Sequence, residues 1–220
     1  MDTYFWHERW AKSEIGFHLN EVNPYLIQHF AALNPKTNTA VFVPLCGKSK
    51  DLIWLAEHAE HVIGIELSKK AVDDFFKENN ITPNVTQGDR FLTYRYENLT
   101  IVCGDLFQLT AADLSDCHLV YDRASLIAFP ADMRARYVEK LNEVLPNKVQ
   151  RLLVTVDYPQ DEMSGPPFSV TPNEVQQHFS ARYEIQCLAS EDILEQSKRF
   201  KAKGVSRMLE HVFLLTDKVI

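Results

Sequence analysis

The chain has 220 residues, of which 45% are hydrophobic and 24% charged, with a net charge of −7 and no basic block; clustered Lys and Arg are what a phosphate backbone needs, so no nucleic-acid partner is expected. The N-terminus has no basic segment followed by an apolar one, and no apolar run reaches a membrane-spanning length, so a cytoplasmic protein without membrane contact is expected. Cys46, Cys103, Cys117 and Cys187 lie far apart in no paired-ligand spacing and read as reduced, mostly buried thiols.

An extension of about 35 residues comes first, carrying Trp6, Trp10, Phe17 and Tyr25. Its first half reads as a helix with an aromatic face, and Asn23-Pro24 starts a second. Those rings are buried only by folding over the core, and a natural place is the crevice at the carboxyl ends of the strands, as a lid. Apolar runs follow at 40–45, 61–67, 99–104, 118–121 and 152–157. Helical or polar segments separate them, which predicts successive β-α units and a parallel sheet. Helices are predicted over 49–59, from an N-cap at Ser68 through Ala71, Val72, Phe75 and Phe76, and over 132–145, stopping before Pro146. Residues 90–97 alternate and add a small hairpin. Runs 183–189 and 208–215 are joined by a Lys-rich connection with no clear crossover helix, which predicts an antiparallel pair at one sheet edge. The whole chain, 1–220, reads as one α/β domain: a mostly parallel seven-stranded sheet with helices on both faces and a helical extension over 1–35.

The segment 40–66 carries the most chemistry. It reads strand, turn, helix, strand, with Gly47 at the turn and Glu66 closing the second strand. A carboxylate at that place accepts hydrogen bonds from ribose hydroxyls. Gly47-Lys48-Ser49 imitates the tail of a phosphate-binding loop, but that motif needs a glycine where Phe42 stands. A dinucleotide site needs three glycines to approach a pyrophosphate, and only Gly47 is present. S-adenosylmethionine has no phosphate, so it relaxes the glycine demand and keeps the ribose carboxylate. Downstream, Asp105 closes the third core strand, where it would accept from an adenine amine while the following backbone at Leu106 meets the ring edge. Tyr121-Asp122-Arg123 closes the fourth strand. No Asn-Pro-Pro-Tyr signature stands there, which removes the usual acceptors for a planar nitrogen. Arg123 offers a fixed cation to a carboxylate on the cofactor or to an anionic substrate.

The chain resembles the bacterial branch of the thiopurine S-methyltransferase family. The likeness rests on Trp6-His-Glu-Arg-Trp10, Gly16-Phe-His18, Asn23-Pro24, Val43-Pro-Leu-Cys-Gly-Lys-Ser49, Gly64-Ile-Glu-Leu-Ser68, Cys103-Gly-Asp105, Tyr121-Asp-Arg123, Gly165-Pro-Pro-Phe168 and Glu210-His-Val212. It implies a Rossmann-like methyltransferase fold, S-adenosylmethionine as donor and methylation of an aromatic or heterocyclic thiol. By the resemblance, cofactor contacts fall on Trp10, Leu45, Glu66 and Arg123. Two departures, His58-Ala-Glu-His61 in place of a Gly-His pair and Phe129 in place of a leucine before Pro130, touch none of these.

The expected cofactor site therefore comprises Trp10, Leu45, Gly47, Glu66, Leu67, Asp105, Leu106, Phe107 and Arg123. Phe17, Arg123 and Phe168 are assigned to the acceptor, and Asp122 and Arg123 are the polar groups expected at the reacting centre. Trp10 and Phe107 would flank the adenosine or the sulfonium, a contact worth about 0.5–2 kcal/mol. Aromatic heterocyclic thiols ionise below an alkyl thiol at about 8.5, so no catalytic base is assigned. Glu57, His58 and His61 share a helix end, but sulfonium chemistry needs no metal and none is expected. The expected protein is a monomer acting on a small-molecule thiol. Methylation of selenium or tellurium compounds, and a non-catalytic S-adenosylmethionine-binding protein, are the competing readings.

Overall fold

A computed structural model describes residues 3–37 and 39–218. Helix α1 (Thr3–Ala11) and helix α2 (Pro24–His29) precede strand β1 (Ala40–Val43). Asn23 caps α2 by accepting from the Tyr25 amide, with Pro24 in the first turn where a missing N–H costs nothing. Then come α3 (Asp51–His58), β2 (His61–Glu66) and α4 (Lys69–Glu78), the last capped by the Ser68 hydroxyl accepting from Ala71. A hairpin of β3 (Asn84–Gln87) and β4 (Leu92–Tyr96) leads into β5 (Leu99–Cys103). The chain continues through β6 (Cys117–Arg123), α5 (Ala131–Val144), β7 (Gln150–Asp157), α6 (Pro172–Phe179), β8 (Tyr183–Asp192), α7 (Lys198–Ala202) and β9 (Leu209–Asp217).

The strands form one sheet in the order β3-β4-β5-β2-β1-β6-β7-β9-β8. Strands β5, β2, β1, β6 and β7 run parallel, and β9 joins β7 antiparallel with β8 beyond it. The sheet thus has nine strands instead of the expected seven, because β4 pairs antiparallel with β5 and carries β3 outward. All four residues of β3 are exposed, so the outer strand of the hairpin has no buried face to give it an apolar pattern, whereas β4 buries Tyr94 against the core. The Lys-rich connection between β8 and β9 also holds a helix, the five-residue α7, too short for a periodic signal.

Two apolar layers sandwich the sheet. Along β1, Val41 and Val43 pack under α2, α3 and α4 with Leu52, Leu55, Phe75 and Phe76. Phe42 points to the other face, with Tyr137, Val138 and Leu141 of α5 and Val175 and Phe179 of α6. Alternation along a strand buried on both faces yields the continuous apolar runs seen in the sequence. Strands β1, β2, β5 and β6 end side by side, and the loops leaving those ends build the site.

Candidate functional site

Glu66 ends β2 and is buried. Its Oε2 accepts from the Gly47 amide at 2.9 Å and its Oε1 from the Ser68 amide at 2.8 Å. Each oxygen keeps a lone pair, and the side chain lines a cavity of about 360 Å³. Burial raises the carboxyl to about 7, against the opposing pull of the Ser68, Gly47 and Leu67 amides. Leu67, Asp105, Leu106 and Phe107 line the same cavity. Asp105 is also the cap of a short 3₁₀ turn at 106–108, accepting from the Phe107 amide at 2.9 Å.

The loop between β1 and α3 passes close to the extension. Gly47 has φ +55°, and a methyl group there would lie 3.1 Å from the Trp10 ring. Leu45 (φ 45°) and Ala124 (φ 62°) also adopt the left-handed region, which costs an L-residue about 1–2 kcal/mol. Both line the cavity, and they are two of the seven non-glycine residues with positive φ among those described. Trp10 is buried and its ring packs against Phe17 at 5.6 Å, with Trp6 at 5.9 Å from Phe17 on the other side. The extension therefore forms a wall of the cavity through Trp6, Trp10 and Phe17.

A second cavity, of about 30 Å³, shares the wall of Trp10, Phe17, Leu45 and Ala124 with the first. Gly47 and Arg123 line it. Arg123 donates from Nη2 to the Phe17 carbonyl at 3.3 Å, and its Nε is buried with no partner among the described residues. Asp51 lines the same cavity and accepts from the Asn23 amide at 2.7 Å and the Tyr121 hydroxyl at 3.1 Å. Asp51 is 2% exposed and has no cation partner among the described residues. A buried carboxylate and an under-bonded guanidinium facing one small void fit the two charges of an amino-acid end. Lys48 lines the same void but pairs with Glu78 at 2.6 Å.

Two expected residues stand elsewhere. Asp122 is fully buried and lines neither cavity. It points into the interior, where it accepts from the Tyr137 hydroxyl at 2.8 Å and lies 3.6 Å from the buried Arg151. Successive strand residues face opposite sides of the sheet, so Asp122 turns toward Tyr137 and Arg151 while Arg123 turns toward the Phe17 carbonyl. Burial raises the Asp122 carboxyl from its ordinary value, opposed by Arg151 and by hydrogen bonds from Tyr137, Ser125 and Leu126. Phe168 packs its ring under Gly165, donates its amide to the Ile127 carbonyl at 2.7 Å and lines neither cavity. Pro166 and Pro167 take the wall position instead.

Sequence reasoning did not single out Asp51, Ile127, Met133, Arg136, Arg199 or Lys203. The first carried a signal, as an acidic residue in the first turn of the helix after Gly47. His58 stacks on Trp54 at 3.8 Å and His61 pairs with Thr100 at 3.2 Å, so the two histidines near Glu57 engage separate partners. All four cysteines are free, with Cys46 and Cys117 buried, Cys103 half-buried and Cys187 exposed. Among the described residues no helix is long and apolar enough to cross a membrane.

A family model described as thiopurine S-methyltransferase matches residues 1–218. A thiopurine S-methyltransferase of Pseudomonas fluorescens (strain SBW25) is 49% identical over 215 residues, covering 98% of this chain and 99% of the relative. One from Nitrosospira multiformis is 45% identical over 218 residues, covering 99% of each. Among solved structures, a SAM-dependent methyltransferase from Anabaena variabilis superposes with a TM-score of 0.67 at 13% identity, over 98% of this chain and 95% of that one. A Burkholderia thailandensis 1,6-didemethyltoxoflavin-N1-methyltransferase, solved with bound 1,6-didemethyltoxoflavin and S-adenosylhomocysteine, superposes with a TM-score of 0.65 at 12% identity, covering 99% of this chain and 87% of that one.

Proposed function

Because the chain belongs to the thiopurine S-methyltransferase family, we propose that it methylates the sulfur of an aromatic or heterocyclic thiol, with S-adenosylmethionine as donor. The observation that carries this reading is Glu66: a buried carboxylate, held by two backbone amides, with acceptor capacity left toward the larger cavity. That is what a ribose with two hydroxyls requires. Asp105 and the Leu106 backbone would hold the adenine edge, Phe107 its face, and Leu45, Gly47 and Leu67 the surrounding wall. Arg123 and Asp51 suit the carboxylate and ammonium of the cofactor's methionyl end. When bound, S-adenosylmethionine supplies a methyl group already activated on a sulfonium.

The protein's part is then to position and to exclude water. Trp6, Trp10, Phe17, Ile127 and Phe129 give the acceptor an apolar wall. Holding a nucleophile in line at about 3 Å accounts for most of the acceleration such a reaction needs. Held by Glu66, Asp105, Arg123 and Asp51, the donor would offer its methyl carbon to an ionised thiolate and its sulfonium sulfur would keep the bonding pair as the methyl group passes to the acceptor sulfur. The thiol proton goes to solvent, and no side chain is required to take it. The extension over 1–35 acts as the lid of one domain spanning 1–220. Four unpaired thiols support a reducing, cytoplasmic setting.

Titrating S-adenosylmethionine and S-adenosylhomocysteine into the wild-type and Glu66→Ala proteins tests the ribose assignment. Micromolar binding that weakens by about 100-fold in the variant is expected, from the loss of two hydrogen bonds to a charged group. Equal affinity in the two proteins would contradict it.

A further inference from the structure

The arginines of this chain divide by their partners. Arg9, Arg90, Arg134, Arg151, Arg182 and Arg207 each face a carboxylate. Arg95, Arg123, Arg136 and Arg199 have no carboxylate partner among the described residues, and the last three all line the two cavities. Lys203, also without an anionic partner there, lines the larger cavity with Arg136 and Arg199. In a chain of net charge −7, acidic groups outnumber basic ones, and three cations without an ion-pair partner among the described residues nevertheless gather around one opening.

The positions of these cations are fixed by the fold. Arg136, in the middle of α5, sets its guanidinium 5.4 Å from the centre of the Phe107 ring. Arg199 lies on α7 and covers Gly16 so closely that a methyl group at Gly16 would overlap its guanidinium. Arg199 is exposed overall, and the partial burial of its guanidinium lowers it from its ordinary value. Lys203 follows Arg199 by four residues, one helical turn on and on the same side. The three cations thus approach the mouth from α5 on one side and from the β8–β9 connection on the other. Between them lie aromatic and apolar walls. The anionic groups of this cavity are accounted for: Glu66 and Asp105 are on the floor bonded to amides, and Glu14 is paired with Arg9 at 2.7 Å.

Resting on the proposed function above, we infer that the acceptor is an aromatic thiol bearing a carboxylate, which Arg136, Arg199 and Lys203 hold at the cavity mouth while the sulfur points to the floor. A carboxylate is met by guanidinium donors in a planar fork and by the ammonium as a point charge, and a neutral ring substituent gains neither. The apolar walls serve the ring in both cases, so the carboxylate is what separates good acceptors from poor ones.

The test compares 4-mercaptobenzoate with 4-methylbenzenethiol, two aromatic thiols of similar bulk, as acceptors for the full-length enzyme at a pH where both are ionised. The readout is the ratio of their kcat/KM values, which cancels any general loss in a variant. The wild-type ratio is expected to favour the carboxylate by about tenfold at low salt, the size that a few partly exposed charge pairs sum to, and to shrink as salt screens them. In the Arg136→Gln/Lys203→Gln protein, and separately in Arg199→Gln, the ratio is expected to fall toward one. A wild-type ratio of one, or a high ratio that the variants leave unmoved, overturns the inference while leaving thiol methylation standing. Failure of the wild type on both thiols, with S-adenosylmethionine bound, overturns the proposed function and this inference with it.

Discussion

The floor of the site and its mouth are built on different principles. The floor comes from the ends of β1, β2 and β5 and is held by backbone: Glu66 is fixed by amides from Gly47 and Ser68, and Asp105 by the amide of Phe107. The mouth comes from the extension, the 165–168 loop, α5 and α7, and presents exposed side chains such as Arg136, Arg199 and Lys203. A floor made of strand ends gives one cofactor a fixed seat, whereas a mouth made of loops and side chains can change its acceptor without disturbing that seat.

The sharpest way to break this division is at Arg123, which stands where floor and extension meet. Replacing Arg123 with Glu puts a like charge on the void that Asp51 also lines and before a carboxylate; a loss of kcat/KM of about 1,000-fold or more is expected in a methyl-transfer assay. Unchanged efficiency would remove the assignment. Next is the floor itself, through Glu66→Ala and the roughly 100-fold loss of cofactor affinity already described.

Proton linkage at Glu66 sharpens the same point. In the cofactor-free protein the carboxyl is held near 7 by burial, and a protonated carboxyl has lost the charge that two ribose hydroxyls need. Cofactor binding should therefore weaken as pH falls below 7, by up to about tenfold per unit. Calorimetric titrations at several pH values check this, and in Glu66→Gln the dependence should flatten. The stability effect has the opposite sign. The folded state keeps this proton up to about 7 and the unfolded chain releases it near 4.5, so this group costs the cofactor-free protein stability as pH rises through that window, and bound cofactor offsets the cost.

How much of this was readable beforehand follows the same division. Glu66 and Asp105 sit at the ends of apolar strands and Gly47 in the turn after one, so spacing alone could bring Glu66 and Asp105 to the larger cavity and the Gly47 amide to Glu66. The mouth residues are brought together from α5, α7 and the extension by packing, and no local pattern links Arg136 to Arg199. Asp122 misled because adjacency to Arg123 in sequence means opposite faces in a strand. Phe168 misled because the wall needed only the two prolines before it. The exposed β3 gave no periodicity, so the hairpin's outer strand was invisible even though the alternation of β4 was not.

Smaller effects test the details. Gly47→Ala must adopt φ +55° and crowd the Trp10 ring; a cofactor affinity about 3–10-fold weaker is expected, read by the same titration. Phe168→Ala, away from both cavities, should lower Tm by a few degrees and change kcat/KM by less than about threefold. A larger kinetic loss would return Phe168 to the acceptor wall.

The most direct measurement follows methyl-labelled S-adenosylmethionine into product with a thiopurine acceptor and locates the label by mass spectrometry and NMR. The account predicts label on sulfur, stoichiometric with S-adenosylhomocysteine formed, and turnover lost in Arg123→Glu. Label on a ring nitrogen or an oxygen, or full turnover in that variant, would contradict it.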